Sequence, residues 1–71
     1  MTPGYFVWVE LNEGELHEKR QFDRLKDAER WAFHERRILK DFFLISITAG
    51  DDYGRQLTIM VGSKHREQYG S

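Results

Sequence analysis

Apolar and polar positions change period twice along the chain, from two to about 3.6 and back. Tyr5 to Leu11 reads as a strand that is apolar on both alternating faces, with Tyr5, Val7, Val9 and Leu11 on one and Phe6 and Trp8 on the other. A strand covered on both sides belongs in the middle of a sheet. Asn12-Glu13-Gly14 fits a three-residue hairpin loop, because Gly14 can take the left-handed conformation that closes a type I turn with a bulge. The second strand, Glu15 to Phe22, has only Leu16 and Phe22 as apolar positions. Its charges suit an edge, where they discourage pairing with another chain.

Asp23 to Leu39 is the one long stretch with helical spacing. At about 100° per residue, Leu25, Ala28, Ala32 and Leu39 fall together, with Trp31 at one flank and Glu35 and Arg36 on the same side. The pattern predicts a helix from Arg24 to about Arg37, with Asp23 as its N-cap and Arg36, Arg37 and Lys40 near its negative end. No capping box supports that start, since Lys26 stands where an acid would be needed.

Beyond the helix, Asp41 to Ala49 alternates Phe43, Ile45 and Ile47 against Phe42, Leu44, Ser46 and Thr48. Arg55 to Val61 alternates Leu57, Ile59 and Val61 against Gln56, Thr58 and Met60, after a glycine-bracketed turn at Gly50 to Gly54. The predicted fold is α+β, β-β-α-β-β: a four-stranded antiparallel sheet (order 2-1-3-4) with one helix packed on one face. Residues 1–61 make one domain, and the polar run from Gly62 to Ser71 is expected as a flexible tail.

Bulk properties narrow the function classes. A chain of 71 residues buries only roughly 60% of its unfolded surface, which argues against a deep catalytic cleft. Eleven basic residues against twelve acidic ones leave no overall attraction for nucleic acid, so any such binding needs a local patch. The absence of cysteine removes disulfide and thiolate-zinc frameworks and fits a reducing compartment. The start, MTPGYFVWVEL, has no basic n-region and too short an apolar run for a signal peptide or a span, so a cytoplasmic protein is expected.

One helix of about 14 residues, some 21 Å long, cannot shield both sides of four strands. With Val7, Val9, Phe43, Ile45, Leu57 and Ile59 beneath it, the open face would carry Phe6, Trp8, Phe42, Leu44 and Met60 as a partner-binding patch. The occupant would be a second copy, another protein or the tail folded back. Trp8→Asp is expected to abolish association while the fold survives.

A second candidate is the outer helix stripe of Lys26, Arg30, Phe33 and Arg37, spaced to form one row. It could hold phosphates while Phe33 stacks on a base, helped by the basic tail, or meet an acidic protein groove. The plainer reading is a solvated face whose cations pair with Asp27, Glu29 and Glu35, with Phe33 one stray exposed ring.

Chemistry is thinner. His17, His34 and His65 lie in three elements with no ligand spacing, and Asp51-Asp52 reads as turn chemistry without a calcium-loop pattern. Ser46 and Thr48 have no nearby base, and Gly50 and Gly54 lack the lysine and helix of a phosphate loop. The expectation is therefore a non-enzymatic protein-interaction module with no cofactor, metal, membrane or small-molecule substrate. Nucleic-acid binding is the alternative. In size and layout the chain resembles the short proteins encoded by phages and other mobile elements, some of which inhibit host enzymes by surface docking. That resemblance implies an inhibitor or adaptor and nominates no residue.

Overall fold

A computed structural model describes residues 4–69. Its strands are β1 (Tyr5–Asn12), β2 (Glu15–Phe22), β3 (Leu44–Ala49) and β4 (Gln56–Val61), with helices α1 (Leu25–Ile38) and α2 (Ser63–Tyr69). The sheet runs β2-β1-β3-β4 with every neighbouring pair antiparallel, as the patterning predicts. Apolar β1 lies inside and charged β2 at an edge, the arrangement that keeps Val7 and Val9 wholly from water.

The first hairpin is tighter than expected. Asn12 pairs with Glu15, so only Glu13 and Gly14 connect the strands, and register shifts on either side of Glu10 absorb the extra length. Gly14 takes φ 77°, the left-handed conformation that residue can adopt at little cost.

The helix starts one residue later than the periodicity suggests. Arg24 is its N-cap, with extended backbone and no side-chain cap bond. Asp23 therefore lies outside the cap and does not fill the expected role, because its carboxylate is one residue removed from the cap position. Ala28 and Ala32 are fully buried, and their small side chains let α1 press closely onto the sheet. Glu35 is also buried, as its place on the wheel implies. α1 packs on β1, β2 and β3, and β4 lies largely beyond its reach.

One correction concerns which residues α1 covers. Strand pairing in β3 begins at Leu44, opposite Glu10, and not at Asp41. Residues 41–43 cross from helix to sheet outside the strand, so the strict alternation does not hold there. Phe42 consequently joins Val7, Val9, Ile45 and Ile47 in the core beneath α1, and Met60 joins them because it pairs directly with Ile45. Phe43, expected under α1, is buried instead against α2, with ring centroids 4.9 Å from His65 and 6.2 Å from Tyr69.

The other correction is the tail. Residues 63–69 form α2, while residues 70–71 lie outside the described residues. Its first turn is tied to the strand entry by Gly62 N–H to the Phe43 carbonyl (3.1 Å), Lys64 N–H to the Phe42 carbonyl (3.0 Å) and Ser63 Oγ to Asp41 (2.8 Å). Its far end reaches the first hairpin, where Gln68 donates to Glu13 at 2.7 Å and the Tyr69 hydroxyl donates to the same carboxylate. The segment is polar because α2 lies on the surface. Its helix depends on partners remote in sequence, which local periodicity does not register.

Candidate interaction surface

Away from α1, paired positions bring Phe6, Trp8 and Glu10 of β1 beside Leu44, Ser46 and Thr48 of β3, with Ile59 and Val61 of β4 next in line. This face is not left bare. The β3–β4 connection folds back over it, turning at Gly50, whose carbonyl accepts from Thr48 Oγ1 at 2.9 Å. Thr48 Oγ1 in turn accepts from Trp8 Nε1 at 2.8 Å. Tyr53 lies against the Trp8 ring at 4.7 Å between centroids, and its hydroxyl donates to the Glu10 carboxylate.

From the opposite side Lys19 completes the cover. Its ammonium sits 4.8 Å from the Trp8 ring centre and 5.5 Å from that of Phe6, and pairs with Asp51 at 3.2 Å. A cation over aromatic faces is attracted by their negative quadrupole, and the carboxylate fixes it there. Partial burial raises the Tyr53 phenol above its ordinary value of 10.0, and the hydrogen bond to Glu10 pushes the same way. The phenol therefore stays a donor across the neutral range.

These contacts revise the expected patch of Phe6, Trp8, Phe42, Leu44 and Met60. Phe42 and Met60 are core residues on the opposite side of the sheet, and Phe6 is only 6% exposed. Trp8 and Leu44 remain half-buried. What stays open is chiefly β4, where Leu57, Ile59 and Val61 are 52%, 51% and 39% exposed, beside the single Leu16 of β2 opposite Glu10. Leu57 and Ile59, expected beneath the helix, are thus on the surface. The register shift between Ile47 and Thr48 leaves Leu57 without a cross-strand partner, and Ile59 pairs with Ser46 on the face that α1 does not cover.

The backbone of β4 is as open as its side chains. Gly62 donates to Phe43, and Ala49 donates to Arg55 across the same ladder. In the alternation of an antiparallel pair, Met60 and Thr58 are then the residues that bond to β3, so Ile59 and Val61 aim their amides and carbonyls outward. The two edges of the sheet differ sharply. β2 carries Glu15, Glu18, Lys19 and Arg20, whereas β4 has neither a charge nor a proline from Gln56 to Val61.

The helix stripe stands on the surface as expected. Phe33 is 45% exposed and shares a shallow hollow with Arg30, His34 and Arg37, while Lys26 is exposed on the same helix. Arg30 reaches Asp27 only loosely, at 3.9 Å. The three histidines stay apart in β2, α1 and α2. Among the described residues no three His, Asp or Glu side chains converge as metal ligands, and no helix is long and apolar enough to cross a membrane.

Fold and surface together define a small α+β sheet protein with one protected and one unprotected edge. Compared with family models, curated proteins and solved structures, the chain matches none.

Proposed function

We propose that this protein is a non-enzymatic protein-interaction module, acting in the cytoplasm as an adaptor or inhibitor, and that it docks through β4. The observation that carries this reading is the uncharged edge, unpaired among the described residues, with Leu57, Ile59 and Val61 exposed along it. Soluble proteins normally blunt such an edge with charge, proline or a covering element, and strand addition is a recurrent mode of partner capture. The expected patch on the open face thereby contracts to its β4 margin, with Leu44 at its border.

Ile59→Lys tests it. Lysine on an exposed edge position blocks strand pairing and should change folding stability by no more than about 0.5 kcal/mol. The wild-type chain is expected to self-associate in sedimentation runs or to retain a discrete protein from lysate on an affinity column, and the variant to lose whichever occurs. Association that is unchanged in a folded variant would remove β4 as the docking edge.

A second reading has its own support: an exposed aromatic ring amid Arg30, Arg36 and Arg37 is the equipment for stacking a base and neutralising phosphates. It predicts single-strand affinity that falls with salt. Replacing Lys26, Arg30 and Arg37 by alanine should flatten the log–log salt slope by roughly 2 if each cation neutralises one phosphate. A fluorescence titration with no salt dependence would eliminate this use of the stripe.

A further inference from the structure

At the Val61 end of β4 the groove beside the edge becomes basic. Arg36 and Lys40 approach from the end of α1 and Arg66 from α2, around a cavity of about 420 Å³ floored by Phe42 and Met60. The nearest acid on this connection, Asp41, accepts a hydrogen bond from Ser63 and does not line the cavity. Resting on the reading that β4 is the docking edge, we infer that its occupant is an extended segment of another protein, added antiparallel to β4, with acidic residues at its N-terminal end.

Each part of that description has a separate cause. Antiparallel addition continues the pattern of all three existing strand pairs, and it puts the incoming N-terminus beside Val61. Residues on one face of the incoming strand meet Leu57, Ile59 and Val61, so they are apolar. Residues alternating with them face the α1 side, where Arg36, Lys40 and Arg66 call for carboxylates.

A second copy of the chain meets the apolar requirement but not the electrostatic one. Antiparallel self-pairing centred on Ile59 would set Leu57 against Val61 and bring Arg55 of the second copy opposite Ser63, at the same basic end. A fourth cation there is repelled where an acid is attracted, and the acids that precede it, Asp51 and Asp52, are held by Lys19 and by the Gly54 amide.

The test uses the full chain, labelled with nitrogen-15, and two synthetic peptides. The probe is capped at both ends and alternates valine with glutamate in its N-terminal half and with threonine in its C-terminal half. The control carries lysine in place of each glutamate. The probe is expected to shift the amides of Leu57, Ile59 and Val61 and to bind at least about tenfold more tightly than the control, as several charge pairs of modest strength would give. In the Arg36→Glu/Lys40→Glu variant that preference should invert.

Equal affinity for the two peptides, shifts centred elsewhere, or no shift at about 1 mM probe would overturn the acidic-strand assignment. So would a concentration-dependent dimer that Ile59→Lys dissociates, because the edge would then belong to a second copy. That last result leaves β4 standing as the docking edge, whereas association indifferent to Ile59→Lys removes the underlying reading as well.

Discussion

Trp8→Asp is expected to unfold much of the domain, and not simply to weaken docking. The indole touches Tyr53, lies under Lys19 and donates to Thr48, so its loss loosens the β3–β4 connection and uncovers Phe6. The new carboxylate would also stand on the same face as Glu10, two residues along the strand. Truncating a large aromatic costs about 3–5 kcal/mol where it is well packed. A 71-residue domain has a total stability of roughly 4–11 kcal/mol at the usual value per residue. Urea denaturation followed by circular dichroism should show a variant that is largely unfolded or has its midpoint greatly lowered. A variant with wild-type stability would mean that the loop network contributes little. Loss of association in this variant therefore says nothing about docking, and Ile59→Lys is the cleaner probe of the surface.

The second large effect is expected at Gly62, between β4 and α2. A Cβ on this residue would lie 2.0 Å from the Phe42 carbonyl oxygen and 2.6 Å from its ring. Neither can move freely, because Phe42 is in the core and its carbonyl accepts from Lys64. Gly62→Ala should therefore cost at least the 1–3 kcal/mol, roughly, of an overpacked core, and detach α2 from the strand entry. Gly14→Ala supplies the contrast: nothing stands within 4 Å of a Cβ there, and only the positive φ is penalised. That change should cost about 1 kcal/mol. Thermal melts of the two variants side by side would check the ordering, and a Gly62→Ala midpoint above that of Gly14→Ala would contradict the packing described.

The open face shows how a correct topology can accompany a misplaced surface. Phe6 and Trp8 do lie on the side away from α1, as the narrowness of one helix requires. Their cover comes from Tyr53 and Lys19, and neither residue signals in sequence that it will reach across the sheet. Gly50-Asp51-Asp52-Tyr53-Gly54 reads locally as an ordinary turn. The contacts that make it a lid, Tyr53 to Glu10 and Asp51 to Lys19, span more than thirty positions.

The order of the first five elements and the sheet order were legible in the sequence alone, because periods of two and 3.6 and the charge on an edge strand are properties of neighbours along the chain. Ile45 and Ile47 of the third strand face the core as their alternation predicts, but the inward side of the fourth strand was not legible. Both alternations there contain apolar residues, so the pattern fits either orientation. The choice was made by the register that sets Met60 opposite Ile45 and, for Phe42, by the late start of pairing at Leu44. Each moves side chains between faces, and each arises from how the strands meet in space. The same holds for α2, whose polar residues become a helix by leaning on Phe43 and Glu13. Local spacing determined the four strands and the long helix, and long-range packing decided the last helix and which surface stays open, since burial depends on neighbours that only the folded chain supplies.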